Sequence, residues 1–222
     1  MRARDNPFAV HRVLAIRYRL AGDGCDWRGL ERRLALLDFR AALVGPHGSG
    51  KTTLLEDLGA RLEARGARLR RLTLRRGERR PPPADERRLL DGLAPHDLLL
   101  VDGADELGCA AWWRLRRASR GALGLLVTSH RAGLLPTLHE HVTTPGLLAA
   151  IVADLLGPAA PPPPTPPEEL FQRHGGDLRA ALRELYDLYA DHPSCPEGAR
   201  PDMPGGSWTR RPPSPSRLVQ IE

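Results

Sequence analysis

The chain has 222 residues, 41% of them apolar, with 33 basic against 27 acidic side chains and a net charge of +6. That length holds one domain of ordinary size and a small appendage, and no stretch approaches the ~18 apolar residues of a membrane span. Met1-Arg2-Ala3-Arg4-Asp5 opens into no long apolar leader, and Cys25, Cys109 and Cys195 are far apart, without metal-ligand spacing; both features fit reduced thiols and a cytoplasmic protein.

In chain order, the first signal is a short apolar segment from Phe8 to Leu20, followed by a helical pattern at Leu30, Leu34 and Leu37. Residues 1–37 are therefore expected to form an N-terminal segment packed on the core. The core itself is expected over 38–144, where strand and helix signals alternate. It begins with Phe39-Arg40-Ala41-Ala42-Leu43-Val44, a short buried strand.

The next eight residues carry the most information. Gly45-Pro46-His47-Gly48-Ser49-Gly50-Lys51-Thr52 matches G-x-x-x-x-G-K-[ST], the phosphate-binding P-loop. Lys51 is the only lysine of the chain, so every other positive side chain is arginine. A compact ammonium on a thin stem threads a narrow loop where a planar guanidinium does not. Thr53 to Leu62 follows as a helix with apolar residues at 54, 55, 58 and 62. Strand, glycine-rich loop and helix together aim backbone N–H groups at phosphate. Residues 45–53 are thus the expected nucleotide site, with the Thr52 hydroxyl on Mg²⁺.

Arg70-Arg71-Leu72-Thr73-Leu74 reads as an intervening strand. His96 to Asp102 then gives a fully buried strand that ends in an acid. In an open α/β sheet, ligands bind at that C-terminal edge, so Asp102 is the expected second Mg²⁺ anchor. In the turn beyond it, Glu106 or Asp105 is the candidate to orient attacking water; capping of the following helix is the competing role for either acid. Leu123 to Arg131 is another buried strand, expected between the P-loop strand and the Asp102 strand. It delivers Thr128, Ser129, His130 and Arg131 to the same edge. Thr128 and Ser129 are candidates for the γ-phosphate or the water, and Arg131 for phosphate or a neighbouring subunit.

Pro145 opens an apolar helix over 145–156, and a proline-dense connector covers 158–167. Residues 168–190 read as two helices split by Gly175-Gly176, so 145–190 forms a small C-terminal helical lid. From 191 to 222 Pro, Gly and Ser dominate without periodicity, which predicts a disordered tail.

With these elements in place, the chain resembles the ASCE branch of P-loop ATPases, in particular AAA+-like or STAND/NACHT-like members. The overall layout is also similar to small bacterial, planctomycete-type P-loop proteins. Leu98-Leu99-Leu100-Val101-Asp102-Gly103-Ala104-Asp105-Glu106 is similar to the NACHT form of Walker B, with Gly103 where most AAA+ proteins have Glu. Val127 to Arg131 looks like sensor 1, and Gly176-Asp177-Leu178-Arg179-Ala180-Ala181-Leu182 looks like a sensor 2 helix. The resemblance implies a three-layer α/β/α fold on a mostly parallel sheet. It also implies ATP and Mg²⁺ as ligands, Arg179 as a γ-phosphate contact, and a protein partner or homo-oligomer.

Two basic stretches are candidates for nucleic acid. Residues 68–80 hold seven arginines at 68, 70, 71, 75, 76, 79 and 80, and residues 112–120 pair Trp112-Trp113 with Arg114, Arg116, Arg117 and Arg120. A solvated arginine face is the favoured reading of both, given the arginine bias of the whole chain. The functional readings carried forward are a Mg-dependent ATPase, a nucleotide-dependent switch with little turnover, and a phosphotransferase.

Overall fold

The computed structural model describes residues 6–15, 26–158 and 160–191. A short α1 (Val10–Ala15) comes first. The sheet and its cover follow in chain order as α2 (Trp27–Leu36), β1 (Arg40–Val44), α3 (Lys51–Glu63), β2 (Arg68–Thr73), α4 (Pro83–Leu90), β3 (Asp97–Asp102), α5 (Cys109–Ala118), β4 (Gly124–Ser129) and β5 (Thr137–Glu140). The C-terminal helices, expected to form a lid, are α6 (Pro145–Leu156), α7 (Pro167–Arg173) and α8 (Leu178–Asp191). The tail expected after 191 lies outside the described residues, as do 16–20 of the first apolar segment.

The strands pair in the order β2-β3-β4-β1-β5, and every pairing is parallel. The strand bearing Thr128 thus lies between the P-loop strand and the Asp102 strand, as the sequence pattern anticipated. This is an α/β three-layer P-loop fold. Period-two alternation builds both faces. Leu43, Leu98, Leu100 and Leu126 point to the side covered by α2 and α3, where they meet Leu30, Leu34, Leu54 and Leu58. Ala42, Leu99, Val101, Leu125 and Val127 point to the other side, with Leu89 of α4 and Leu115 of α5. Near-continuous apolar strands are what a sheet buried on both faces requires.

The described parts of the segment 1–37 divide between two cores. Helix α2 starts at Asp26, whose side chain accepts from Gly29 N at 2.6 Å, and it packs on the sheet. Phe8 instead joins Leu148, Leu170, Leu178, Leu182 and Leu185 in a separate core inside the lid. Asn6 fixes that docking by donating to the Tyr186 carbonyl at 2.8 Å, and the Phe8 ring lies edge-on to Tyr189 at 5.1 Å.

The edge strand β2 is held by a buried carboxylate. Asp97, fully buried at the start of β3, accepts from Arg68 and from Ala94 N and pairs with Arg70 at 3.2 Å. Those bonds hold its carboxyl far below the usual range, Arg68 contributing most. Arg70 also donates to the carbonyls of Arg88, Asp91 and Gly92, which closes the C-terminal end of α4.

Candidate functional site

The site lies at the C-terminal edge of the sheet, where β1, β3 and β4 end side by side. Helix α3 begins at Lys51 directly after Gly50, which has left-handed backbone and supplies no side-chain cap. No side chain caps its first amides, which leaves them available to an anion. Lys51 is buried, and its Nζ donates to the carbonyls of Gly45 and Pro46 at 2.7 and 2.6 Å. Burial lowers its pKa, against the opposing charges of Asp102 and Asp105.

The candidate magnesium pair is assembled. Thr52 Oγ1 donates toward both oxygens of Asp102, at 3.2 and 3.0 Å. Thr128, buried on β4, donates to Asp102 Oδ1 at 2.5 Å and accepts from Gly103 N at 2.8 Å. One carboxylate thus ties the end of β3 to the end of β4 and to the first turn of α3. The hydroxyl and carboxylate are hard oxygen donors, a set that suits Mg²⁺ with waters and phosphate completing the shell.

The two acids of the turn after β3 separate. Glu106 accepts from Gly77 N at 2.8 Å and so faces the loop after β2. Asp105 accepts from both the backbone N and the ring Nδ1 of His130, at 3.1 and 2.7 Å. Burial raises the Asp105 pKa, but the bonds from His130 outweigh it and leave the net shift downward. His130 Nε2 in turn lies 3.0 Å from His47 Nδ1, and the two rings overlap with centroids 3.8 Å apart.

The C-terminal helices touch the loop. A Cβ on Gly48, where φ is +67, would collide with Asp177 Oδ1 and fall 2.9 Å from Arg179 N. Asp177 caps α8 by accepting from Ala180 N at 3.0 Å. The start of α8 therefore rests on the crown of the P-loop, and Arg179 contributes to the electrostatic environment of Lys51.

Solved structures of Thermotoga maritima RuvB are similar. The Holliday junction branch migration motor matches at 21% identity with a TM-score of 0.48, over 74% of this chain and 62% of that one. A lysine-to-arginine mutant of the same protein matches at 20% and 0.49 over the same shares, and a proline-to-glycine mutant at 19% and 0.49. The chain spans less than two thirds of the length of these structures. No family model matches the chain, and no curated protein matches it.

Of the residues singled out in the sequence, Lys51, Thr52, Asp102, Thr128, Asp105 and Gly48 meet at one place, with the rest of 45–53 forming the loop and helix start. Ser129 is buried but turns its hydroxyl to the Arg131 carbonyl at 2.6 Å, and Arg131 is exposed beyond the strand end. In the basic stretches, Trp112 packs on the core, Trp113 is exposed under Arg117, and Arg68 and Arg70 are committed to Asp97.

One structural residue of the site escaped the sequence reading. His141, just past β5, is buried; its Nδ1 lies 3.0 Å from the Ser49 carbonyl, and its Cβ lies where a side chain at Gly45 would have to go. Burial pushes its pKa down to about 4, so it is neutral at pH 7 and donates through Nδ1 to the loop. β5 is too short and too polar (Thr137-Leu138-His139-Glu140) to announce itself as a strand, so nothing in the sequence put His141 next to the P-loop.

Proposed function

We propose that this protein binds Mg·ATP at residues 45–53 and hydrolyses it to ADP and phosphate, with helices α6–α8 as a lid that responds to the nucleotide. One observation carries the reading: Thr52, Asp102 and Thr128 form a single hydrogen-bonded unit beside the buried Lys51, at the mouth of a parallel-sheet P-loop. In this reading Lys51 and the loop amides hold the β- and γ-phosphates. Thr52 and Asp102 would hold Mg²⁺, which supplies charge neutralisation between the phosphates. Arg179, leaning from the first turn of α8, senses the terminal phosphate. The assembly is AAA+-like, and a protein partner or a second copy is the object of the lid's movement.

A second reading, a nucleotide-dependent switch with little turnover, draws on Glu106 being turned to Gly77 N and on Gly103 following Asp102. Calorimetry with Mg·ATP and a phosphate-release assay separate them. Wild type binds ATP, and Lys51→Ala loses most of that affinity while its circular dichroism stays unchanged. Equal ATP affinity in the two proteins removes the P-loop assignment. ATP binding without phosphate release selects the switch.

A further inference from the structure

The contact chain from Asp105 through His130 to His47 has a direction. Asp105 Oδ2 accepts from both the backbone N–H of His130 and its ring. An ionised carboxylate accepts only, so His130 Nδ1 carries a proton, and in the neutral ring Nε2 holds the lone pair. That nitrogen lies 3.0 Å from His47 Nδ1, with the two rings tilted and their centroids 3.8 Å apart, and the contact calls for the proton of His47 on Nδ1. The remaining nitrogen, His47 Nε2, is then a bare acceptor on an exposed part of the P-loop, between Pro46 and Gly48. Hydrogen-bond networks of this type fix tautomers, and a carboxylate at the far end stabilises the imidazolium formed when the near end takes a proton.

Resting on the ATPase reading above, we propose that His47 is the general base of this site and that His130 and Asp105 are its positioning residues. The acids of the turn after β3 already have other partners. Gly103 follows Asp102, Glu106 faces Gly77 N, and Asp105 is committed to His130. The base passes instead to an imidazole carried by the loop that holds the phosphates. In the step, one O–H of water breaks and its proton goes to His47 Nε2. The water oxygen bonds to the γ-phosphorus while the bond from that phosphorus to the β–γ bridging oxygen breaks, its electron pair leaving on ADP. The second hydrogen stays on the phosphate, and His47 returns its proton to solvent.

The surroundings keep His47 ready. Although the residue is exposed, partial desolvation lowers its pKa first, then the charges of His130 and Lys51, with Arg76 acting the same way and Asp177 opposing. His130 faces it from the end of β4, Lys51 from α3, Asp177 from the start of α8 and Arg76 from the loop after β2. At neutral pH the imidazole is uncharged and able to accept, and turnover falls as pH drops through its pKa.

The test uses three readouts on the full chain. Long-range ¹H–¹⁵N spectra of the imidazoles, recorded without nucleotide, should show Nδ1–H tautomers at both His47 and His130; an Nε2–H tautomer at His47 overturns the proposal without reference to activity. Calorimetry with Mg·ATP should give a His130→Gln affinity within about threefold of wild type. The kcat–pH profile of wild type should carry an acidic limb. That limb should disappear in His47→Ala together with a loss of ~10²–10⁴-fold in kcat, and it should move to lower pH in Asp105→Asn, where the anion is gone. Wild type that fails to bind Mg·ATP sinks the nucleotide reading itself. Wild type that binds but does not turn over, or a His47→Ala protein that keeps the wild-type limb, overturns only the base.

Discussion

Gly48→Ala tests whether lid and loop are one mechanical unit. At φ +67 an alanine carries the left-handed penalty of roughly 1–2 kcal/mol that L-residues have there. Its Cβ would also run into Asp177 Oδ1 and stand 2.9 Å from Arg179 N. The carboxylate can rotate away, but it then gives up its bond to Ala180 N, which costs about 1 kcal/mol as for other lost helix caps. The backbone nitrogen cannot move without moving α8. The two contributions sum to about 2–3 kcal/mol, or a drop of roughly 4–12 °C in Tm for a chain of this size. Part of the relief should come from the lid lifting, so amides of 178–182 should exchange with solvent faster in the variant while those of β3 and β4 stay protected. Urea melting and hydrogen exchange measure the two halves of the prediction. A variant with wild-type stability and wild-type protection over 178–182 would show that α8 does not bear on the loop, and the lid would then be a separate cap.

Two further outcomes are expected. Arg179→Ala should weaken ATP by roughly ten- to a hundredfold, and ADP by much less, because only ATP presents the terminal phosphate to a charged donor; calorimetry giving equal losses for both nucleotides would return Arg179 to the solvated surface. His141 should make the fold acid-sensitive: its pKa is about 4 in the folded chain against an ordinary 6.5, so below pH 6.5 the unfolded chain binds a proton that the folded chain refuses. Stability should decline by up to about 1.4 kcal/mol per pH unit between 6.5 and 4, and His141→Gln should flatten that decline in denaturant titrations taken across the window.

What the sequence made legible follows from which forces act locally. The P-loop, the strands ending at Asp102 and Ser129, and the Gly175-Gly176 break were readable because turn glycines, apolar runs and caps are properties of neighbouring residues. The order β3-β4-β1 was reachable because a strand-edge acid and a strand-edge hydroxyl make chemical sense only side by side. Three things were not readable for one shared reason. Phe8 docks in the lid, His141 packs on Gly45, and Glu106 turns to Gly77 N through contacts made only after distant segments fold together. His47, His130 and Asp105 each stood out within its own motif, yet only the sheet order brings them into one line.

Edge strand β2 also bears on how this molecule behaves among its copies. It ends the sheet order among the described residues, and an unpaired strand edge is a template for another chain. Of its six residues only Leu72 is buried, and three are arginines at 68, 70 and 71. Arg70 is turned in to Asp97 and the end of α4, while Arg68 and Arg71 stay exposed, and charged side chains on an edge strand oppose its pairing with another chain. Part of the basic stretch at 68–80 thus sits where charge disfavours intermolecular sheet growth, whether or not an anionic partner binds there.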